Sequence, residues 1–357
     1  MQSRSWVHGM ERLFLSALGP SDDTPVFSLQ NIGLFVVIFV SYYISGKFGQ
    51  RFSPPNPAPT AFWPPTGIAY AALFLKGRRA LPAIFAGAFF MDLFNLSMAP
   101  YALGTALGCT LEAIIAVALV IRLANGINAF FTPRDVLRYV VLAGIIPTAF
   151  GATWGVSLMC LHGEVQWANF WNSWTIWWVG DLLAAIILAP FLILLLGHRH
   201  NALSWSEMVE ATALLLGLTA VCILNFGPPL VSWIPKVFLS IPFLTWAAVR
   251  FCPLEVSGAC LVMSGFTLWG SLQGYGPFAT ARTEPLMLVG NVCVYSVMTM
   301  FVAAALFKQR REIEKLYALK FGMRNTVRDN DESTGVSDSI EAVEKLDGGP
   351  SQPPEGP

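Results

Sequence analysis

Long apolar runs are the feature that most constrains this chain, because a helix needs about 20 mostly apolar residues to cross a bilayer. Ten such runs follow one another: 30–46, 60–75, 80–96, 101–121, 136–161, 170–196, 207–226, 237–249, 254–272 and 285–307. The composition agrees, since 55% of the residues are hydrophobic and only 12% are charged, about half the charge of a soluble domain. We predict an all-α, polytopic transmembrane helix bundle of about ten spans, in which the eighth run is short and contains Pro242.

Lysine and arginine in the connections predict the orientation, because these residues accumulate in cytoplasmic loops. The even-numbered connections contain eight of them and the odd-numbered connections contain four. The even-numbered connections and both chain ends are therefore predicted to be cytoplasmic. The expected location is the plasma (inner) membrane, as a multi-pass protein whose first partner is the lipid bilayer.

The segments on either side of the bundle, which covers residues 30–307, differ from it in composition. Residues 1–29 are predicted to be a cytoplasmic leader, either an interfacial helix or a solvated segment. Residues 308–328 have apolar residues at heptad positions, which predicts a juxtamembrane signalling helix that either pairs in a homodimer or lies on the bilayer. Residues 329–357 contain eight acidic residues and one basic residue. We predict a disordered acidic tail there, because such a segment buries too little apolar surface to fold.

Three acidic residues lie inside the predicted spans, where a charge costs at least ~2.5 kcal/mol and usually marks a functional site. At 1.5 Å rise per residue, Asp92 lies about 18 Å from the inner end of its span, and Glu112 and Asp181 lie about 16 Å from the outer ends of theirs. All three are predicted near mid-membrane, where the sequence places no Lys or Arg. They are either protonated or hold a cation or a cationic ligand group. The alternative is that each one only hydrogen-bonds a neighbouring helix.

Two aromatic motifs lie near these acids. The motif WPPTG, which begins at Trp63, opens the second span, and its first helical turn either offers N–H groups to a ligand or is a structural turn. The segment WANFWNSWTIWWVGD leads from Trp167 to Asp181. Aromatic faces beside a carboxylate suit a cation or an apolar ligand, and a belt at the membrane interface is the alternative.

Catalytic motifs are absent from the sequence. No GxSxG, HExxH or phosphate-binding glycine loop occurs, and no soluble segment carries a cyclase or kinase motif. The four histidines fall in the leader or in connections. We therefore predict that the chain is not an enzyme and that it binds no cofactor, no metal and no nucleic acid.

Four stretches follow one another in a distinctive order: FWPPTGIAYAALFLKGRRALPAIFAGAFFMDLF from Phe62, TLEA from Thr110, PRDVLRYV from Pro133 and WWVGDLLAAIILAP from Trp177. In sequence and spacing they resemble the membrane-associated sensor domain of type one (MASE) of bacterial signalling proteins, closely over residues 32–196 and more loosely as far as 307. The resemblance carries over to these positions: Trp63, Pro64, Gly67, Glu112, Trp178, Gly180, Asp181 and Pro190. Asp92 has no matching family position, and joins the predicted ligand-binding or signal-sensing residues through its depth alone.

The resemblance implies a sensory module that passes a ligand or membrane signal to a cytoplasmic diguanylate cyclase, phosphodiesterase or histidine kinase. Because no GGDEF, EAL or kinase segment is present, the expected partner acts in trans. Two alternatives remain open at this point: a proton- or cation-coupled transporter, and a membrane anchor for a protein complex.

Overall fold

The computed structural model describes residues 29–52, 60, 62–96, 99–198, 204–228, 236–277 and 285–334, and for some of these, including 318–334, the backbone only. The predicted leader before residue 29 and the part of the predicted tail after residue 334 lie outside the described residues. Every regular element in the described ranges is a helix. The chain divides into two compact units, Met1–Phe307 and Lys308–Pro357.

Helices occur at each of the ten predicted runs. The first four are α1 (Leu29–Gly49), α2 (Pro64–Lys76), α3 (Leu81–Leu96) and α4 (Ala99–Leu123). Two broken helices follow, made of α5 (Pro133–Tyr139) with α6 (Ile146–Leu161), and of α7 (Phe170–Leu183) with α8 (Ala189–Gly197). The last four are α9 (Trp205–Phe226), α10 (Ser240–Arg250), α11 (Pro253–Gln273) and α12 (Pro285–Thr334). Helix α12 extends to Thr334, six residues into the segment 329–357 that was predicted to be a tail, and the division after residue 307 into a signalling helix and a tail stays a prediction.

Six segments of the described chain are long and apolar enough to cross a membrane: Gln30–Gly49, Ala99–Leu123, Pro133–Leu161, Trp167–Gly197, Trp205–Phe226 and Gly290–Tyr317. Helices α2, α3 and α10 are shorter, with 13, 16 and 11 residues. Large apolar side chains cover the outside of the long helices, as at Val37 and Ile44 of α1, which are 64% and 63% exposed. An apolar outer surface of this kind suits lipid rather than water. The number of crossings stays a prediction.

Both broken helices contain a π turn just before a proline. Val140–Ile145 joins α5 to α6, and Ala184–Leu188 joins α7 to α8. Pro147 and Pro190 lie in the first turns of α6 and α8, where each ring removes an amide that a regular helix would use. The two π turns contact each other. Such turns are rare in proteins, and those that do occur are frequently found at functional sites.

The short helix α2 lies among the longer ones. It contacts α1, α4, α8 and the π turn Ala184–Leu188, and most of its residues from Pro64 to Leu73 are buried. Prolines suit its first turn, because an amide there has no helical partner. Gly67 approaches the π turn so closely that a Cβ atom would lie 2.9 Å from the Ala184 carbonyl oxygen. This close packing holds the polar face of α2 in the interior.

Candidate functional site

Two hydroxyl groups on one face of α2 donate to two buried carboxyl groups. Thr66 Oγ1 donates to Asp181 Oδ1 at 2.6 Å, and Tyr70 Oη donates to Glu112 Oε1 at 2.9 Å. The two donors are neighbours on the helix, because residues four apart share a face. Glu112 belongs to α4 and Asp181 to α7, and their exposed fractions are 2% and 1%. We call these four residues the acid–hydroxyl centre; through it, α2 is bonded to two other helices.

Among the described residues, neither acid of the centre has a basic partner. Glu112 and Asp181 lie within electrostatic range of each other, and among the described residues no ion pair includes either of them. An isolated charged carboxylate is costly to bury. The pair therefore holds a proton or binds a cationic group. In the described part of the chain, no three His, Cys, Asp or Glu side chains are grouped as metal ligands.

Glycines allow the neighbouring helix to close around Glu112. A Cβ atom at Gly151 of α6 would overlap Glu112 Oε2, and one at Gly108 of α4 would overlap the Trp154 ring. The indole N–H of Trp154, on α6, donates to the Gly104 carbonyl oxygen of α4 at 2.8 Å. This hydrogen bond joins the same two helices. The carboxyl group of Glu112 is thus held between Tyr70 on one side and the backbone of α6 on the other.

The backbone joins the two aromatic motifs. The Trp63 N–H donates to the Gly180 carbonyl oxygen at 3.1 Å, and the Thr66 N–H donates to the Trp63 carbonyl oxygen at 3.2 Å. Pro64 and Pro65 have no N–H to offer. The sequence left two alternatives for the first turn of α2, a ligand-facing turn and a structural turn, and here the N–H groups of Trp63 and Thr66 are used within the protein. The structure brings Trp63, Pro64 and Gly67 next to Gly180 and Asp181 as a structural junction.

Trp178 and Asp92 lie outside the acid–hydroxyl centre. The Trp178 indole N–H donates to the Ile145 carbonyl oxygen at 3.4 Å, and its ring stacks on Trp174 with centroids 5.5 Å apart. Asp92 Oδ2 accepts a hydrogen bond from Thr105 Oγ1 at 2.5 Å. Along α4, Thr105 lies about 10 Å from Glu112, so Asp92 is not at the level of the other two acids. The reason is the length of α3, whose 16 residues put Asp92 in its last turns.

Sequence reasoning did not assign a role to Tyr70. The signal was present, since a second hydroxyl follows Thr66 at the i+4 position, but only tertiary structure shows that Glu112 faces it. Tyr42 of α1 and Cys109 of α4 were missed as well. Tyr42 is buried and Cys109 is partly buried, and both lie within electrostatic range of Asp181 and also of Asp92. They extend the polar surroundings of the centre toward α1.

A helix bundle with an apolar outer surface and buried acids in its interior is the structure of a multi-pass membrane protein. The family model of MASE1, a membrane-associated sensory domain, matches residues 34–311, and the chain belongs to this family. The predicted family resemblance is confirmed, and the match includes the whole acid–hydroxyl centre. No curated protein and no solved structure matches the chain.

Proposed function

We propose that the chain is a sensor of the plasma (inner) membrane, and that its acid–hydroxyl centre receives a ligand or a membrane signal. The observation that carries the proposal is the pair of hydrogen bonds from one face of α2 to Glu112 and Asp181. A hydrogen bond to a charged group contributes about 1.5–3 kcal/mol. Reversing a two-state population from 1:99 to 99:1 takes about 5.5 kcal/mol. A ligand or proton that exchanges both bonds therefore acts on about 3–6 kcal/mol, the same order as such a reversal.

The proposed topology has about ten spans and both chain ends in the cytoplasm. Exposed basic residues support it: Lys76 ends α2 and is followed by Arg78 and Arg79, while Arg122 lies in the last turn of α4 and Arg134 in the first turn of α5. These two connections lie on one side of the membrane when α3 and α4 each cross it once. Labelling single cysteines in both connections from each side of the membrane tests this, and opposite sidedness of the two would overturn it.

The proposed output runs through the helix that follows Phe307. Its side chains from Lys308 to Tyr317 are exposed, and they include two apolar heptad residues, Ile313 at 44% and Leu316 at 66% exposure. Apolar residues at such positions are buried when a second helix pairs with them. Met323 and Val327 also occupy predicted heptad positions, but only their backbone is described. We propose that this helix pairs in a homodimer and acts on a cytoplasmic cyclase, phosphodiesterase or kinase in trans.

Capture of the partner is the first experiment. The full chain, a chain that ends at Thr334 and a chain that ends at Phe307 are crosslinked and purified from native membranes. We expect a cyclase, phosphodiesterase or kinase with the first two and none with the third. Capture that needs residues after 334 would assign binding to the tail instead, and no signalling enzyme with any version would contradict the output proposal.

The site is tested with Asp181→Asn. Asparagine keeps the shape and still accepts a hydrogen bond from Thr66, but it cannot gain or lose a proton. We expect the partner's output to stop responding while the thermal midpoint stays close to that of the unaltered chain. The matched control is Asp92→Asn, which makes the same change outside the centre and should keep the response. Unchanged signalling by Asp181→Asn would remove the centre from the mechanism.

A proton- or cation-coupled transporter is the second candidate, favoured by buried acids that no base in the described part of the chain neutralises. Helices interrupted at Pro147 and Pro190 would also suit the rocking motion of a carrier. Ion-driven flux in proteoliposomes that is lost with Glu112→Gln would support this candidate. Absence of flux together with partner capture would exclude it in favour of the sensor.

A further inference from the structure

Three aromatic side chains meet beside the point where the first compact unit ends. The ring of Phe131 lies with its centroid 5.0 Å from that of His198 and 5.2 Å from that of Phe307. Phe131 is the last residue of the short turn Gly126–Phe131, which lies between α4 and α5. His198 directly follows α8, and Phe307 is the last residue of the first unit, on α12. We call these three residues the aromatic junction, because one ring joins the end of α8 to α12.

The turn that contains Phe131 is fixed by its neighbours. Phe130 is 2% exposed, and its ring packs on Tyr139 of α5 with centroids 4.7 Å apart. Asn128 Oδ1 accepts a hydrogen bond from His198 Nε2 at 3.3 Å, and α8 contacts the turn. Closely packed side chains transmit strain, because they leave little free volume into which a neighbour can move. A displacement of His198 is therefore passed to Phe131.

Helix α8 connects the junction to the acid–hydroxyl centre. Asp181 lies on α7, and the π turn Ala184–Leu188 joins α7 to α8. This π turn is also the part of the chain that α2 approaches, since a Cβ atom at Gly67 would lie 2.9 Å from the Ala184 carbonyl oxygen. Rigid helices carry coupling between distant sites. A shift of α2 or of Asp181 thus reaches His198 through the nine residues of α8.

We propose that Phe131 is a positioning residue of the response, which passes a displacement of α8 from His198 to Phe307 and so to the exposed helix that follows. The inference rests on the proposed function, because it supplies the step between the acid–hydroxyl centre and the output helix. Phe131 has no ionisable or polar side-chain group, so it acts through the two rings that it contacts. Aromatic pairs stabilise an arrangement enough to change an equilibrium by about twofold to tenfold. The junction therefore biases the output helix between two positions.

The first experiment changes His198 and measures the output helix. His198→Gln removes the ring and keeps an N–H group that can donate to Asn128. The full chain is reconstituted in lipid nanodiscs. Hydrogen exchange with mass spectrometry then gives the exchange rates of the amides of residues 308–317, which report local opening. The effect of His198→Gln is measured in the unaltered chain and in the Phe131→Leu background.

Phe39→Leu is the matched third background. Phe39 is partly buried like Phe131, and its ring contacts that of Phe90 with centroids 6.0 Å apart, between α1 and α3. The substitution therefore removes an aromatic contact between helices outside the junction. The amides of α4 are the internal reference for general destabilisation.

In the unaltered chain, His198→Gln should speed the exchange of residues 308–317 by about twofold to tenfold, while the amides of α4 keep their rates. The same change should add nothing in Phe131→Leu, because the contact is already broken there, and should keep its full effect in Phe39→Leu. No effect in the unaltered chain, or an equal effect with and without Phe131, would overturn the junction. An equal rise throughout α4 would show a general structural role and overturn it as well. If Phe131→Leu does not fold, Phe307→Leu breaks the last contact instead.

Asp181→Asn separates this inference from the proposed function. We expect it to change the exchange of residues 308–317 in the unaltered chain but not in Phe131→Leu. If His198→Gln acts through Phe131 and Asp181→Asn has no effect on these amides, the junction stands and the acid–hydroxyl centre is not its source. If Asp181→Asn acts equally in both backgrounds, the centre signals by another route and the junction is overturned.

Discussion

Tyr139 donates its hydroxyl hydrogen to the Ala185 carbonyl oxygen at 2.9 Å, across the two broken helices. Within the π turn, the Ala189 N–H donates to the Ala184 carbonyl oxygen, so the next carbonyl, that of Ala185, would take its bond from residue 190. That residue is Pro190, which has no N–H. The tyrosine hydroxyl therefore satisfies the carbonyl that the proline leaves without a partner.

Tyr139→Phe should destabilise the bundle by about 1–3 kcal/mol, the cost of a buried carbonyl group that loses its donor. The ring itself remains, so its packing against Phe130, with centroids 4.7 Å apart, is kept. The thermal midpoint of the purified chain measures the change. Pro190→Ala is the matched background, because alanine restores an N–H, and in that background Tyr139→Phe should cost less. An equal cost in both backgrounds would contradict the link to Pro190.

Gly151→Ala should displace Glu112 without changing any ionisable group. The added methyl group would overlap Glu112 Oε2, and overpacking of a tight interior costs about 1–3 kcal/mol. We expect a lower thermal midpoint and loss of the proposed response. Gly265→Ala is the control, since a Cβ atom there meets nothing within 4 Å and alanine stabilises a helix interior by about 0.5–1 kcal/mol. If Gly151→Ala and Gly265→Ala had the same thermal midpoint and the same response, the contact of Gly151 with Glu112 would have no role in stability or in the response.

Thr66→Val and Tyr70→Phe should not act independently. Each variant removes one donor from one carboxyl group, and the two carboxyl groups lie within electrostatic range of each other. Groups that share a network usually show coupling energies of about 0.5–3 kcal/mol. The double variant, compared with both single variants in thermal unfolding, measures this coupling. Strict additivity would mean that the centre consists of two separate hydrogen bonds.

Arg250→Lys should lower the thermal midpoint. The guanidinium group donates to both Glu210 oxygens at 2.7 Å, and Trp246 donates to the same carboxylate at 2.8 Å. Lysine cannot reproduce this two-pronged contact between α9 and α10. Lys308→Ala is the comparison, because its pair with Glu312 is exposed and 3.8 Å long and should contribute little. An unchanged midpoint in Arg250→Lys would assign the contact no structural role.

The sequence predicted the acids of the centre better than the arrangement around them. Glu112 and Asp181 were identified because a carboxyl group is costly at mid-membrane depth, and the structure buries both. Asp92 was placed at the same level because depth was counted along separate helices, whereas packing pairs it with Thr105. The contact from Tyr70 to Glu112 joins residues distant in the chain, and no local pattern specifies such a pair.

The broken helices were read from the sequence as single spans, because a π turn has no strong local signal. The burial pattern around the π turn Val140–Ile145 does reflect it. Buried positions recur at every fourth residue there: Tyr139, Ala143, Pro147, Gly151 and Gly155. In a regular α-helix, a four-residue step overshoots a full turn by about 40°, so such a row would drift around the helix. The extra residue of the π turn takes up part of this drift and keeps the row facing inward.

The π turn Ala184–Leu188 also fixes the rotational phase of α8. One residue corresponds to about 100° of rotation in an α-helix. Tightening this turn into α-helical geometry would therefore twist α8 about its own axis by roughly that angle. Ile193, now 0% exposed, would leave the core, while the lipid-facing Leu196, 67% exposed, would change its surroundings. A change in a single turn next to Asp181 is thus geometrically equivalent to a large screw-like rotation of the helix end, with only a small shift along the membrane normal.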